Sequence, residues 1–293
     1  MSFSKKIKEE LSKMNNLSNK DAVRMELIGY FITNNISIKN NKIKYSTESE
    51  YNINRFAKLL NNVNISKYKI DIQGRFFSIT IEEKLKFAKE LNFSDSIIRL
   101  NDNIKDFCDT EILEKAIVRG SFLGSGSLNN PEKTYHLEII YSCEENVNYI
   151  KQLLEKYGIK IKKNNMSLYL KEGEDISKLL AFIGANKAVL KFEEIRVLRD
   201  MRNNVNRIVN CETANLNKTI NAALKQIDDI KYIKKMNKFN KLSKGLQEIA
   251  NLRLNNSDTS LIELGKMLDN PIGKSGVNYR LKSISKFADE LRK

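Results

Sequence analysis

The chain has 293 residues, of which 41% are hydrophobic and 30% charged, a balance typical of folded rather than disordered proteins. It shows neither a signal-peptide core nor an apolar run near the ~18 residues that span a bilayer, so we expect a cytoplasmic protein with no membrane partner. Three separated cysteines and one histidine argue against a disulfide framework, a zinc site and most hydrolytic triads. We therefore predict no metal and no cofactor.

Positive charge is concentrated in the last third of the chain. The 51 Lys and Arg against 36 Asp and Glu give a net charge of +15. Residues 201–244 hold ten basic and three acidic side chains and residues 245–293 hold eight and six, so +7 and +2 place +9 there. Nucleic acid is the favoured partner, because a phosphate backbone releases counterions when it binds such charge. A lysine-rich bias from an AT-rich coding sequence is the alternative.

The first two thirds of the chain repeat at an offset of 91 residues. MELIGYFITNNISI (Met25–Ile38) corresponds to AIVRGSFLGSGSLN (Ala116–Asn129), and Gly29 aligns with Gly120. Each stretch predicts a helix that ends in small or polar residues and runs into an extended segment. We expect the two glycines to let these helices pack closely along a pseudo-twofold axis.

The 91-residue offset also relates two predicted hairpins, one in each repeat. YKIDIQGRFFSITI aligns with IKIKKNNMSLYLKE, and their alternation predicts turns at Gln73-Gly74 and Asn164-Asn165. Helical patterns lie between and after the hairpins, at 51–63, 82–93, 146–158 and 173–184. Each half therefore reads helix, hairpin, helix, hairpin, helix. We predict a pseudo-twofold α+β domain over 1–200, with repeats at about 20–105 and 111–200.

The paired helices resemble the LAGLIDADG homing-endonuclease fold in its single-chain, two-repeat form. The two motif stretches are Leu27–Asn35 and Val118–Gly126. In that nuclease family the penultimate motif position is an acid that binds divalent metal, whereas this chain has Asn34 and Ser125 there. A neutral amide and a hydroxyl cannot concentrate Mg²⁺ beside a phosphate. We expect a scaffold that kept its packing and shape, carries no catalytic residues and is not an enzyme.

Other candidates for chemistry are weaker. An endonuclease with unconventional metal ligands, using Glu48, Glu50 or Glu138, is an alternative that their spacing does not favour. His136 lies in a strand-like run on the same face as Glu138 and is interpreted as a structural or surface histidine. The segment GSFLGSGS lacks the lysine and the spacing of a nucleotide-binding loop.

Residues 201–238 predict a basic helical linker. Ile220, Leu224, Ile227 and Ile230 recur at spacings of three and four and form one apolar stripe. A solvated linker helix is one interpretation, and a linker that also touches DNA phosphates is the other. The predicted phosphate contacts are Arg202, Arg207, Lys218, Lys234 and Lys235.

Residues 239–293 predict an all-α domain of three helices. The first covers about Ser243–Leu254, and the second, SLIELGKMLD, follows an N-cap at Asp258 or Thr259. A break at NPIG precedes a third helix that begins near Lys274. The predicted buried stripe of this third helix is Val277, Leu281, Ile284 and Ala288.

A short helix, a tight turn and a second helix that begins with basic and polar residues is the helix-turn-helix arrangement. Side chains near the start of the second helix reach base edges in the major groove. Within a helix-turn-helix at about 259–291, the predicted DNA-binding residues are Lys274, Ser275, Gly276, Asn278, Tyr279, Arg280 and Lys282. Of these, we expect Ser275, Asn278, Tyr279 and Lys282 on the exposed face. A three-helix bundle for protein interaction is the alternative.

Together, the two parts resemble the WhiA-type transcriptional regulators of bacteria over essentially the whole chain. The most diagnostic stretches are RGSFLGSGSLNNPEKTYHLEI, NCETANLNKT with QIDDI downstream, and SLIELGKMLDNPIGKSGVNYRL. The resemblance implies a nucleoid-associated, sequence-specific regulator that binds double-stranded DNA without cutting it. It also implies a role in cell division and chromosome segregation, and in sporulation where the host sporulates.

The N-terminal domain offers a second surface, for DNA or for a protein. Another transcription regulator or an RNA polymerase-associated protein is the expected kind of protein partner. A scaffold that binds such a regulator, with DNA secondary, is therefore a further alternative. Basic residues that alternate with apolar ones on the predicted sheets would suit DNA or plain solvent: Lys39, Lys42, Lys44, Lys69, Arg75, Lys160, Lys162 and Lys163.

Overall fold

The computed structural model describes residues 2–39, 42–82, 89–94 and 97–293. The chain divides into two compact units, Met1–Asp200 and Met201–Lys293. Each unit has its own hydrophobic core. Within the described ranges, no helix is both long enough and apolar enough to cross a membrane.

The N-terminal unit is a mixed α+β fold, as predicted. Its elements, in chain order, are α1 (Phe3–Ser12), α2 (Lys20–Phe31), β1 (Ile36–Lys39), β2 (Lys42–Thr47), α3 (Glu50–Asn62), β3 (Tyr68–Gln73), β4 (Phe76–Ile81), β5 (Leu91–Phe93), β6 (Ile98–Leu100), α4 (Asn103–Phe107), α5 (Glu111–Ser125), β7 (Ser127–Leu128), β8 (Leu137–Ile140), α6 (Glu144–Lys156), β9 (Lys162–Asn164), β10 (Ser167–Leu170) and α7 (Gly173–Phe182). A long helix, α8 (Asn186–Lys235), follows and continues into the second unit.

The two sheets of this unit have the same topology. One has the strand order β1-β2-β4-β3 and the other β7-β8-β10-β9, with antiparallel pairing throughout. In each repeat an initial helix, α2 or α5, leads into the first hairpin, and α3 or α6 separates the two hairpins. The two-repeat architecture predicted from the sequence is therefore confirmed.

One predicted helix is not confirmed. Half of the helix expected over 82–93 lies outside the described residues, at 83–88. At its end the prediction is wrong, because Leu91–Phe93 forms β5, which pairs with β6. The register sets Leu91 opposite Leu100, and Leu91 and Ile98 are buried. Three residues are too few to distinguish a helical from an alternating pattern, so cross-strand burial decided this segment.

The two hairpin turns lie one residue later than predicted. Gln73 pairs with Phe76 and Asn164 with Ser167, which places the turns at Gly74-Arg75 and Asn165-Met166. The first turn residue has a positive φ in both, +59° at Gly74 and +48° at Asn165. Glycine and asparagine adopt this left-handed backbone at the lowest cost, which explains why these two residues set the register.

Helices α2 and α5 pack against each other through their glycines. A Cβ on Gly29 would lie 2.9 Å from the Cα of Gly120, and one on Gly120 would overlap the backbone carbonyl oxygen of Glu26. Real Cβ atoms do not approach a backbone this closely, so only glycine permits this helix separation. The close approach predicted for these two glycines is confirmed.

Two buried asparagines cross-connect the repeats at the ends of these helices. Asn52 is the third residue of α3 and Asn146 is the third residue of α6. The Asn52 amide donates to the Leu123 carbonyl oxygen at 2.7 Å, and the Asn146 amide donates to the Ile32 carbonyl oxygen at 3.4 Å. Carbonyls in the last turn of a helix lack partners within that helix. Each repeat therefore supplies an amide to the axial helix of the other.

A buried ion cluster also joins the repeats. Glu26, from α2, lies 2.8 Å from the Arg55 Nε of α3 and 2.8 Å from the Arg119 Nε of α5. Burial by itself would raise the pKa of Glu26, but Arg119 and Arg55 outweigh it and hold the pKa below its usual value. Arg55 also donates to the Met14 carbonyl oxygen at 2.7 Å. The cluster thereby fixes three helices relative to one another.

The C-terminal unit is entirely helical. After α8, a short 3-10 helix (Phe239–Lys241) precedes α9 (Lys244–Asn255), α10 (Leu261–Lys266) and α11 (Lys274–Arg292). The core consists of Ile230, Ile233, Leu242, Ile249, Ala250, Leu264, Leu268, Val277, Leu281, Ile284 and Ala288. The predicted buried stripe of the third helix is confirmed, since all four of its residues belong to this core.

Candidate nucleic-acid interface

The helix-turn-helix frame begins at Ser260. Its hydroxyl accepts from the Glu263 backbone N–H, and the Glu263 carboxylate accepts in return from the Ser260 N–H at 3.2 Å. This reciprocal capping box starts α10 at Leu261, so the predicted N-cap at Asp258 or Thr259 is wrong. A serine three residues before a glutamate satisfies two helix-end donors together, which neither alternative achieves here.

Close backbone packing holds the connection between α10 and α11. The Ile272 N–H donates to the Gly265 carbonyl oxygen at 3.1 Å, and a Cβ on Gly265 would overlap the Ile272 carbonyl oxygen. The preceding connection is fixed by buried Arg253, whose Nη1 donates to the Thr259 carbonyl oxygen at 2.8 Å. Burial lowers the pKa of Arg253 from its usual value. These contacts fix α11 relative to α9 and α10.

One face of α11 is free. Ser275, Tyr279, Lys282 and Lys286 recur at spacings of four, three and four, and all are exposed. Tyr279 is 74% exposed, the highest value among the large hydrophobic side chains that the structure describes. Sequence reasoning missed Lys286, although its spacing from Lys282 extends the same face by one turn. This face presents one aromatic ring, two hydroxyl groups and two ammonium groups to a partner.

The structure places the other predicted contacts differently. Lys274 is exposed at the first position of α11, and Gly276 is half-buried. Asn278 is half-buried, beside the exposed face of α11. The prediction that Asn278 belongs to the exposed face is therefore wrong. The Arg280 Nη1 donates to the Gly245 carbonyl oxygen of α9 at 3.4 Å. Arg280 therefore lies over the start of α9, on the flank opposite Asn278.

The described part of α8 within the second unit carries basic residues on one side. Arg207, Lys218 and Lys225 are exposed and recur at spacings of 11 and 7, close to three and two full helical turns. Arg202 and Lys235 are also exposed. Lys234 is exposed too, but its Nζ lies 2.9 Å from the Asn251 Oδ1 and 4.6 Å from the centre of the Phe239 ring.

The predicted apolar stripe of α8 is only half buried. Ile230 belongs to the core of the C-terminal unit and Ile227 is buried, whereas Ile220 is 46% exposed and Leu224 is 54% exposed. The core that α9–α11 form with α8 contains Ile230 and Ile233 but no earlier residue of α8. The earlier part of the stripe therefore has no core to enter.

Positive charge in the second unit is mostly uncompensated. Within residues 201–293, all of which are described, Arg292 is the one Lys or Arg with a carboxylate ion-pair partner. Its Nη1 lies 2.7 Å from Asp229 and 2.9 Å from Asp289, which ties the end of α11 to α8. These carboxylates raise the pKa of Arg292 further. Apart from buried Arg253, the remaining cations are at least partly exposed and have no carboxylate partner, so they can meet an anionic partner.

Asn34 and Ser125, at the motif positions where the nucleases have acids, make hydrogen bonds to β8. The Ser125 hydroxyl donates to the Ile140 carbonyl oxygen at 2.7 Å and accepts from the Ile140 N–H at 3.0 Å, so it is engaged with β8. Asn34 donates its backbone N–H to the same carbonyl at 3.3 Å. Among the described residues, no cluster of three His, Cys, Asp or Glu side chains is arranged to hold a metal ion.

The alternative acids are engaged elsewhere or isolated. Glu48 pairs with Arg75 at 3.2 Å, and Glu138 lies 3.9 Å from His136 on the outer face of its sheet. Glu50 is exposed in the first turn of α3. The shared face predicted for His136 and Glu138 is confirmed.

Several of the predicted basic residues of the sheets have acidic partners. Lys42 and Lys69 both pair with Glu82, at 2.9 and 3.8 Å, and Arg75 pairs with Glu48. Lys163 pairs with Glu144 of α6, so it does not join Lys162 on the outer face. The remaining residues that could contact DNA or a protein at this surface are Lys39, Lys44, Lys160 and Lys162.

Comparison with known proteins agrees with both units. A family model described as the WhiA LAGLIDADG-like domain matches residues 114–202, and the WhiA C-terminal HTH domain matches 205–288. A protein of Clostridium tetani, described as probable cell division protein WhiA, is 40% identical over 100% of this chain and 99% of its own length. The protein of that description from Clostridium acetobutylicum is 38% identical over the same shares.

Two solved structures of WhiA proteins are similar in fold to this chain. The crystal structure of full-length DUF199/WhiA from Thermatoga maritima is 29% identical, covers 99% of both chains and superposes with a TM-score of 0.60. The N-terminal LAGLIDADG domain of DUF199/WhiA is 26% identical, with a TM-score of 0.50, over 62% of this chain and 92% of that one. A degenerate LAGLIDADG-like domain joined to a helix-turn-helix domain, matched over the full length, shows that this chain belongs to the WhiA family.

Proposed function

We propose that this protein is a sequence-specific, double-stranded DNA-binding regulator of transcription, without nuclease activity. The observation that carries the proposal is the free face of α11, formed by Ser275, Tyr279, Lys282 and Lys286. Its opposite face is anchored in the core by Val277, Leu281 and Ile284. A helix held in this way, with polar and basic groups directed outward, is what the major groove admits.

The charge distribution supports two kinds of contact. Near the start of α11, Ser275 and Tyr279 offer hydroxyl groups that suit base edges, while Lys274 and Lys282 suit phosphates. On α8, Arg202, Arg207 and Lys218 have no acidic partners and supply sequence-independent contacts to the backbone. Lys235 serves in the same way. Lys234, which is engaged with Asn251, contributes less.

The N-terminal unit is proposed to act as a non-catalytic scaffold. Ser125 is bound to β8 and the acids around it form no metal site within the described ranges, which supports a loss of cleavage chemistry. Its partner is another transcription regulator, an RNA polymerase-associated protein or a further stretch of DNA. Because relatives are described as probable cell division proteins, we place the regulated processes in cell division and chromosome segregation. The site of action is the nucleoid, and sporulation is included where the host forms spores.

Selection of binding sites from random duplexes, at a stated salt concentration, tests this proposal. The wild-type chain should enrich a defined sequence. Replacing Tyr279 or Ser275 with Ala should cost about 1–3 kcal/mol per lost base contact on that sequence and leave nonspecific binding nearly unchanged. The matched control is Glu290→Ala, an exposed residue at the far end of α11.

A second set of variants separates the exposed face from its flanks. If Arg280 reads a base, it must leave the Gly245 carbonyl, and Arg280→Ala or Asn278→Ala will relax sequence preference. If the exposed face alone reads the DNA, these two variants keep the wild-type preference. Failure of the wild-type chain to select any sequence would reject the proposal.

A further inference from the structure

The part of α8 within the second unit carries large apolar side chains that are exposed to solvent. Six of them, each 46% to 61% exposed, form what we call the α8 stripe: Met201, Val205, Val209, Leu216, Ile220 and Leu224. Steps of four and seven residues return to nearly the same side of an α-helix, so the stripe occupies one side. Contiguous apolar surface of this kind marks an interaction site.

The spacing of the α8 stripe is the same in both directions. The steps along the chain are 4, 4, 7, 4 and 4, centred between Glu212 and Thr213. When two copies of this helix run antiparallel about that centre, Met201 faces Leu224, Val205 faces Ile220, and Val209 faces Leu216. Every apolar residue of the stripe then meets another, which is the self-complementarity that a twofold interface requires.

The area suits a second copy of the chain. Burying side chains of this size removes on the order of 100 Å² each, so twelve of them reach about 1,200 Å², the lower end of stable interfaces. The charges agree, because Arg207, Lys218 and Lys225 lie about half a turn from the stripe and would stay outside the pair. From these observations we propose that α8 pairs with α8 of a second copy, antiparallel, through the α8 stripe.

Glu212 makes this arrangement testable. It lies beside the twofold axis, so the two Glu212 carboxylates of a dimer are close together and repel each other. Glu212→Gln removes this repulsion and should tighten dimerisation severalfold without any new contact. Val209→Asp introduces two charges into the apolar contact and should give a monomer, whereas Asn210→Asp, on the outer side, should not.

The first experiment is sedimentation of the full chain without DNA, at tens of micromolar. The wild-type protein should be dimeric, Val209→Asp monomeric, and Asn210→Asp dimeric. Val209 is 52% exposed in the single chain, so its replacement should leave the circular dichroism spectrum unchanged. A monomeric wild-type protein, or a dimer that survives Val209→Asp with its strength intact, overturns the proposal.

Disulfide trapping then tests the antiparallel register. Cys211 is the exposed free cysteine, while Cys108 and Cys143 are buried, so Cys211→Ser gives a suitable background. In that background Glu212→Cys should form a covalent dimer on mild oxidation, because the two thiols meet at the axis. Asn210→Cys, on the outer side of the same helix, is the matched control and should remain uncrosslinked.

Val205→Cys distinguishes the two directions. In the antiparallel pair, two copies of residue 205 are 15 residues apart along the axis, about 22 Å, and cannot be bridged. In a parallel pair they would be adjacent. Crosslinking through Val205→Cys, or through Asn210→Cys at the rate of Glu212→Cys, overturns the antiparallel arrangement. Because the readout is association without DNA, it is independent of the proposed function.

Discussion

The two units of this protein place their charges in opposite ways. The N-terminal unit buries Glu26 between Arg55 and Arg119 and uses the cluster to hold its repeats together. In the C-terminal unit, every basic side chain except buried Arg253 is at least partly exposed and, over residues 201–293, Arg292 alone has a carboxylate partner. A buried ion cluster fixes the relative position of the helices that carry it, whereas a basic side chain without a carboxylate partner is available to an external anion.

The largest loss of stability is expected from a substitution at Gly120, in the contact between α2 and α5. A larger side chain there would overlap the Glu26 backbone and force α2 and α5 apart. Gly120→Val should therefore cost more than about 4 kcal/mol of stability and remove the folding transition of residues 1–200 in urea denaturation. The matched control is Gly273→Ala, where an added Cβ would meet nothing within 4 Å. Equal stability of the two variants would contradict the close packing of the axial helices.

Glu26 tests whether the interior charges hold the repeats. Glu26→Gln leaves two buried guanidinium groups without a counter-charge and should cost about 3–5 kcal/mol at neutral pH. Glu155→Gln, which breaks an exposed pair with Lys151, should cost less than about 1 kcal/mol. Urea denaturation of both variants beside the wild type measures the difference.

The stability difference between the wild type and Glu26→Gln should depend on pH. The folded pKa of Glu26 lies below its unfolded value, so its contribution is complete above the unfolded pKa and is lost as the pH falls through the folded pKa. The stabilities of wild type and Glu26→Gln should therefore converge below the usual titration range of glutamate. A gap that stays constant into acid would show that the carboxylate charge is not what matters.

A smaller effect is expected from the free charges of the second unit. Replacing Arg207 and Lys218 together with Ala should weaken binding to all duplexes alike and reduce the salt slope of log K by about 0.9 for each lost phosphate contact. Lys191→Ala is the control, because Lys191 lies on the same helix but is paired with Glu194 at 2.9 Å. An unchanged slope in the double variant would show that this side of α8 does not touch DNA.

The smallest expected effect is no effect. Supercoiled plasmid incubated with pure protein and Mg²⁺ or Mn²⁺ should remain supercoiled, because Asn34 and Ser125 supply no charged metal ligands. Asn34→Ala and Ser125→Ala should behave in the same way. Nicked or linear plasmid produced by the wild-type protein, and lost in either variant, would instead identify an active endonuclease.

Features with a local pattern could be predicted from the sequence. The offset between Gly29 and Gly120 predicted the packing of two helices, and alternation predicted both hairpins. The stripe that begins at Val277 predicted which side of α11 is buried. The hairpins and the stripe depend on residues near one another in the chain, whose period distinguishes helix from strand, and the glycine pair depends on a repeat that is visible in the linear sequence.

Features that depend on distant contacts were missed or misplaced. Asn52 and Asn146 read as ordinary helix residues, although both are buried partners of carbonyls in the other repeat. The contact of Arg280 with the Gly245 carbonyl could not be foreseen either, and its base contact stays a prediction. The pairing of β5 with β6 likewise required knowing where the core lies.

The sequence by itself determined the repeated helix–hairpin order, the loss of acids at Asn34 and Ser125, and the concentration of positive charge after residue 200. Periodicity, residue identity and composition are properties of the linear chain. Only the tertiary structure decided that Glu26 meets Arg119, 93 positions away, and that Tyr279 and Lys286 share a free face while Arg280 does not. Such contacts form when separate segments compete for the same core, and no single segment encodes the outcome.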